Sequence, residues 1–180
     1  PGGTNSPGPK SGGTNSLSRR DADSVFHPYT DAVANERDGP LVITRGKGVE
    51  VWDEDGKSYI EGMSGLWCAS LGFGEDRLAD AAARQMRELP FYHGFNQKSH
   101  PPQIELAERL LAVAPVPMAK VFFCNSGSEA ADSAVKMIWY MNNALGRPNK
   151  KKIISRFKAY HGVTIAAASI TGVPTNHTAF

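Results

Sequence analysis

An apolar run, Val121-Phe122-Phe123-Cys124, passes directly into Asn125-Ser126-Gly127-Ser128-Glu129-Ala130, and a helical pattern follows to about Leu145, with Gly146 as its stop. A junction of this kind suits an oxyanion. The first amides of a helix have no partners inside it, and the helix dipole adds partial positive charge at that end. A phosphate placed there receives several N–H donors at once. Gly127 lets the backbone come close, and the hydroxyls of Ser126 and Ser128 can add side-chain bonds. The same residues carry a plainer reading. Ser126-x-x-Glu129 is a capping box, in which serine and glutamate satisfy the orphan amides themselves, and a bare S-x-x-E is usually that. The surrounding sequence has to decide. Two other phosphate-loop lookalikes fail: Gly56-Lys57-Ser58 has Val51 where a Walker A loop needs glycine, and Gly72-Phe73-Gly74 has Arg77 at the last glycine position of a dinucleotide fingerprint.

The elements that would position this junction read as follows. Leu41-Val42-Ile43, Val49-Glu50-Val51-Trp52 and Ser58-Tyr59-Ile60 alternate with Gly46-Lys47-Gly48 and Asp55-Gly56, which predicts a small antiparallel meander. Leu78, Ala82, Met86 and Leu89 then share a helical face that ends before Pro90. A second helix is expected over about 102–114, from Pro102 to the stop at Pro115, with Ile104, Ala107, Leu110 and Leu111 on its buried face. Val121–Cys124 and Ile153-Ile154-Ser155 flank the long helix as strands, so a parallel pairing inside an α/β sheet is expected. Residues 1–23 differ in kind: Gly2-Gly3-Thr4-Asn5-Ser6 recurs as Gly12-Gly13-Thr14-Asn15-Ser16 with prolines between, which predicts a flexible tail.

Composition narrows the classes. Of 180 residues, 41% are hydrophobic and 21% charged, an ordinary globular composition. A formal charge of +2 gives no reason to expect nucleic acid or a membrane surface as partner, and Lys150-Lys151-Lys152 reads as a solvated lead-in to a strand. Cys68 and Cys124 form no C-x-x-C pair and are expected to be buried free thiols in a reducing cytoplasm; the histidines show no metal-ligand spacing. No apolar run is long enough to span a bilayer, and no signal peptide is legible.

Several segments together resemble one family. Asn125-Ser126-Gly127-Ser128-Glu129-Ala130 is similar to the phosphate cup of class III aminotransferases. Gly62-Met63-Ser64-Gly65-Leu66-Trp67-Cys68-Ala69-Ser70-Leu71-Gly72 resembles the substrate loop of the omega-amino acid:pyruvate branch. Leu89-Pro90-Phe91-Tyr92-His93 and Tyr160-His161-Gly162 match in the same order, so the resemblance covers about residues 24–180. It implies an α/β chain of fold type I, with a small-domain segment carrying the meander over 24–70 and the first part of a large domain with a parallel or mixed sheet over 71–180. It implies pyridoxal 5'-phosphate as cofactor, its phosphate held by Ser126, Gly127 and Ser128. Tyr160 would stack on the pyridine ring, with His161 and Gly162 shaping the same wall. Leu66, Trp67 and Tyr29 would line the substrate pocket, and Phe95 resembles the aromatic that reaches a neighbouring subunit's site in a homodimer. Ala131 departs from the pattern, since many members carry asparagine there.

The resemblance also marks what this stretch does not contain. Transamination needs a lysine that holds the cofactor covalently and moves a proton, and a carboxylate at the pyridine nitrogen. In the family both lie downstream of the Tyr-His-Gly segment, as does the arginine that receives substrate carboxylates. No catalytic residue is therefore assigned here, the Schiff-base lysine is expected in a missing C-terminal portion, and this chain alone is expected to be inactive. The reaction implied for the whole enzyme moves an amino group from an amine or omega-amino acid to pyruvate or a similar keto acid. The alternatives are another class III enzyme, a decarboxylase or aminomutase, and a truncated, catalytically inactive interaction module.

Overall fold

In the computed structural model residues 16–178 are described, and they fall into two compact units, one running to Tyr92 and the other from His93 onward. The repeats over 1–15 lie outside the described residues. The tail expected to 23 nevertheless ends early, because Leu17–Ser24 is a helix, α1. Ser16, the last residue of the repeat, caps it by accepting from Arg19 N at 3.2 Å. The carboxylate of Glu54 accepts from the next orphan amides, Leu17 N at 2.9 Å and Ser18 N at 3.2 Å, a distant cap that places an anion at a helix start.

In the first unit α2 (Ala32–Asp38), capped by Asp31, leads to an antiparallel meander of β1 (Ile43–Lys47), β2 (Glu50–Asp53) and β3 (Ser58–Ile60), in the order β1-β2-β3. The meander is the expected one with its first strand displaced: Gly46 and Lys47 belong to β1, opposite Val51 and Glu50, and the turn falls at Gly48-Val49. Asp53 fixes the second turn, because its carboxylate accepts from Asp55 N at 3.0 Å, Lys57 N at 2.9 Å and the Tyr59 hydroxyl at 2.8 Å. A helical turn α3 (Ser64–Trp67) and the helix α4 (Asp76–Glu88) follow. Gly72 requires its residue type: at φ +83°, a Cβ there would lie 2.7 Å from the carbonyl oxygen of Gly48.

The second unit holds α5 (Pro101–Val113), α6 (Gly127–Ala144), the short α7 (Ile165–Ile170) and a 3-10 turn over Pro174–Asn176. The long helix begins and ends as its capping serine and Gly146 (φ +68°) dictate. The two flanking strands differ from expectation. Residues 121–124 and 153–155 carry no ladder among the described residues, and the parallel pair is not formed. A strand exists only through a neighbour's hydrogen bonds, and apolar character alone does not provide one.

The apolar faces are largely open. Val51 and Ala167 are the buried hydrophobic residues of the described part, whereas Leu78 and Met86 of α4, Met137 and Tyr140 of α6, and Phe122, Ile154 and Phe157 are exposed. Cys68, expected to be buried, is exposed as well. The amphipathic pattern of the sequence is real, and within these residues it has little to pack against.

Candidate functional site

The start of α6 satisfies the capping-box reading and leaves two backbone donors beside it. Ser126 Oγ accepts from Glu129 N at 3.1 Å, and the Glu129 carboxylate accepts from Asn125 N at 2.9 Å and Asn125 Nδ2 at 3.2 Å. Ala130 N bonds the Ser126 carbonyl at 3.0 Å. Among the described residues the amides of Gly127 and Ser128 have no acceptor, and a Cβ on Gly127 would meet nothing within 4 Å. Two adjacent N–H groups at the start of an 18-residue helix are thus left without an acceptor. The cap also leaves the serine with its own O–H to donate, since a hydroxyl that accepts one bond keeps its proton for another. The phosphate of pyridoxal phosphate fits this set of donors, since Gly127 N, Ser128 N, Ser126 Oγ and Ser128 Oγ all belong to one helix start.

The Tyr160-His161-Gly162 segment is brought to that same turn. Val163 N donates to Ser128 Oγ at 3.0 Å, across 35 residues of sequence. Gly162, buried and at φ +133°, lies so close that an added Cβ would be 2.4 Å from Ser128 Oγ and 2.8 Å from Ser128 Cα. Thr171, 1% exposed, holds the segment from behind: its Oγ accepts from His161 N at 3.0 Å and donates to the Ala167 carbonyl at 3.0 Å. Lys158 N to Gly172 O and Gly172 N to Ala159 O, both at 2.8 Å, fasten the preceding residues. Tyr160 itself is 57% exposed, a ring held by its backbone and free on its surface.

The remaining expected site residues fall into different units. Tyr29, Leu66 and Trp67 belong to the first and Phe95 to the second. Leu66 and Trp67 sit on α3, where Ser64, Gly65, Leu66 and Trp67 all have positive φ, at 50°, 61°, 65° and 67°. The turn is left-handed yet hydrogen-bonded, Trp67 N to Met63 O at 2.7 Å and Cys68 N to Ser64 O at 3.0 Å. L-residues pay roughly 1–2 kcal/mol each for that handedness. The Cys68 thiol, donating to the Gly65 carbonyl at 2.8 Å, and Glu61, accepting from Met63 N at 2.7 Å, help to hold it. The result displays Leu66 at 68% and Trp67 at 80% exposure. Tyr29 (φ 52°) and Phe95 are also exposed, and the amide of Phe95 donates to His93 Nδ1 at 3.2 Å.

Asp132, Thr164 and Thr171 belong to this constellation and carry no mark in the sequence. Asp132 Oδ1 accepts from Thr164 Oγ1 at 2.8 Å and Ala167 N at 3.0 Å, joining α6 to the start of α7. Their only advance signal is the helical spacing of Ser128 and Asp132, which puts both on one face.

Comparison with known proteins gives the family. Residues 32–180 match the family model of class III aminotransferases. A mitochondrial gamma-aminobutyrate transaminase 1 of Oryza sativa subsp. indica is 50% identical over 157 residues, which is 87% of this chain and 30% of that protein. A thermostable four-fold mutant of an omega transaminase from Pseudomonas jessenii superposes with a TM-score of 0.90 at 59% identity, over 92% of this chain and 37% of the other. The omega transaminase of Pseudomonas jessenii in complex with PMP gives a TM-score of 0.90 at 58% identity, over 92% of this chain and 36% of that one. The chain spans about a third of the length of the relatives it matches. No helix among the described residues is long and apolar enough to cross a membrane. In matched sequence and in fold, the chain belongs to the class III aminotransferases, pyridoxal-phosphate-dependent proteins of fold type I.

Proposed function

We propose that the protein to which this chain belongs moves an amino group from an amine or omega-amino acid to pyruvate or a similar keto acid, with this chain furnishing the phosphate cup and part of the substrate wall. The observation that carries the reading is the open start of α6. There the Gly127 and Ser128 amides and the Ser126 and Ser128 hydroxyls can bind a phosphate dianion through charge-assisted hydrogen bonds. When bound, pyridoxal phosphate supplies the electron sink that lets a proton leave the amine-bearing carbon. The chain's own residues do the rest of what is assigned here. The cup anchors the cofactor, Tyr160 with His161 and Gly162 covers a face of its ring, and Leu66, Trp67 and Tyr29 meet the substrate. Phe95 serves a neighbouring subunit of a homodimer.

The covalent and proton-moving lysine is assigned to sequence beyond this stretch. Apart from Lys151 the lysines of the described residues are exposed. Lys151 is engaged with the Trp139 carbonyl at 3.2 Å and Asn143 Oδ1 at 2.6 Å. We assign 24–70 to a small-domain segment and 71–180 to the first part of the large domain. The compartment proposed is the cytoplasm, on the ground that Cys68 and Cys124 are free thiols; organelle fractionation tests it against the mitochondrion named for one relative. The test of function is a panel of amine and omega-amino acid donors with pyruvate, run on the full-length protein. Transfer that requires added pyridoxal phosphate and is lost with Ser126→Ala and Ser128→Ala together supports the reading. A full-length protein that retains the cofactor yet transfers no amino group from any donor overturns it in favour of an inactive interaction module, and release of carbon dioxide identifies a decarboxylase.

A further inference from the structure

We propose that Asp132 is a positioning residue for the cofactor's ring wall, acting through Thr164 and Ala167 on the backbone that carries Tyr160. The proposal rests on the cup assigned above and adds the part that sets where the ring lies relative to the phosphate.

Ser128 and Asp132 are four residues apart on α6 and therefore stand one above the other on one face. Both grip the same incoming segment. Ser128 Oγ takes the Val163 amide at 3.0 Å, and Asp132 Oδ1 takes the Thr164 hydroxyl at 2.8 Å and the Ala167 amide at 3.0 Å. Thr164 is the N-cap residue of α7, and its own side chain makes no cap bond. Asp132 performs that task from another helix, taking the N3 amide of α7 together with the hydroxyl that should have capped it. Ala167 is fully buried at this contact, so its amide has no water to turn to if the carboxylate goes. Thr171, at the other end of α7, returns to His161 N and the Ala167 carbonyl. The chain from His161 to Thr171 is thus a closed brace, pinned to α6 at two points and to itself at one. The cup is built on the first turn of α6 and the brace on its first and second turns, so the helix fixes the distance from phosphate to ring.

Phosphate alone needs only the cup, whereas the whole cofactor needs the cup and the wall at the right spacing. The experiment uses the full-length protein stripped of cofactor. It measures dissociation constants for pyridoxal phosphate and for inorganic phosphate, with amide hydrogen exchange at Val163 and Ala167. Asp132→Ala is expected to weaken pyridoxal phosphate by about tenfold or more while inorganic phosphate changes by less than about threefold, since a charge-assisted pair of bonds is lost away from the cup. Exchange at Ala167 should quicken in the cofactor-free protein. Asp132→Asn, which keeps an acceptor oxygen, should recover most of both effects, and Thr164→Val should reproduce the Asp132→Ala split in weaker form. Equal weakening of cofactor and phosphate, or an unchanged cofactor constant, would overturn the proposal. If Asp132→Ala does not fold, the asparagine and Thr164→Val variants carry the same comparison. Failure of the unaltered protein to bind phosphate would instead sink the cup, and unchanged Ala167 exchange in the variants would then sink the brace separately.

Discussion

Gly162 lies against Ser128 so closely that the smallest side chain on the glycine would place its Cβ 2.4 Å from the serine Oγ. The two residues are far apart in sequence, and their contact joins the segment bearing Tyr160 to the first turn of α6. Gly162→Ala must either push α6 and the segment apart or leave φ +133°, at a cost of about 1–3 kcal/mol. In the full-length protein this should lower both the melting temperature and cofactor retention. Retention equal to the unaltered protein would show that the contact is not needed at the site.

The two cup serines are expected to separate. Ser126→Ala removes the acceptor of Glu129 N as well as one proposed phosphate donor, and should destabilise α6 by about 1 kcal/mol, as lost N-caps do, besides weakening the cofactor. Ser128→Ala leaves the cap intact, removes the acceptor of Val163 N and one phosphate donor, and should cost cofactor affinity by roughly 1.5–3 kcal/mol. Neither should reorder the amine donors, because the phosphate is held alike with every substrate. Cofactor dissociation on dilution, measured beside a donor panel, checks both; a changed donor ranking would remove the serines from a phosphate-only role.

Trp67 should behave in the opposite manner. At 80% exposure it is not a packing residue within its unit, so Trp67→Ala should move stability by no more than about 0.5 kcal/mol. It should change relative kcat/KM between small and bulky amines in the full-length protein while cofactor stays bound. An unaltered ranking with stability lowered by about 3–5 kcal/mol, as a core cavity would cause, would make the indole structural.

The 180-residue polypeptide by itself is expected to self-associate. Ile154 at 96%, Ile165 at 91% and Phe157 at 85% exposure, with Phe122 and the outer face of α6, present more apolar surface than a lone soluble domain keeps. Sedimentation and dye binding read this directly. A monodisperse monomer with sharp, reversible unfolding would contradict it. Borohydride trapping with pyridoxal phosphate on the same polypeptide should label surface lysines without preference, and one specific adduct would overturn the assignment of the catalytic lysine to another stretch.

What was legible in the sequence was local. Ser126, Glu129 and Gly146 write the ends of α6 in their own positions, and Asp55-Gly56 writes the β2–β3 turn. Ser126, Gly127 and Ser128 could be singled out together because they are contiguous. The brace could not, because Ser128 meets Val163 and Asp132 meets Thr164 across 35 and 32 residues, and nothing in either short stretch announces the other. α1 was hidden because Ser16, its cap, is also the end of a repeat, and its further cap, Glu54, lies in the meander. Apolarity predicts a strand at Val121–Cys124, yet a strand is a relation to a neighbour, and no ladder forms there among the described residues.

The left-handed turn at Ser64–Trp67 carries a stereochemical consequence. At positions with φ near +60° the mirror-image residue is the relaxed one, so the usual preference between enantiomers inverts along this turn. A semisynthetic protein with D-alanine at Gly65 should fold at least as well as the native chain, while L-alanine there should lose stability. D-serine at Ser64 should relieve strain with every atom type unchanged. The chain thus enters the Ser64–Trp67 turn with a bend that its own chirality resists, and the same resistance limits the ways Leu66 and Trp67 can turn aside.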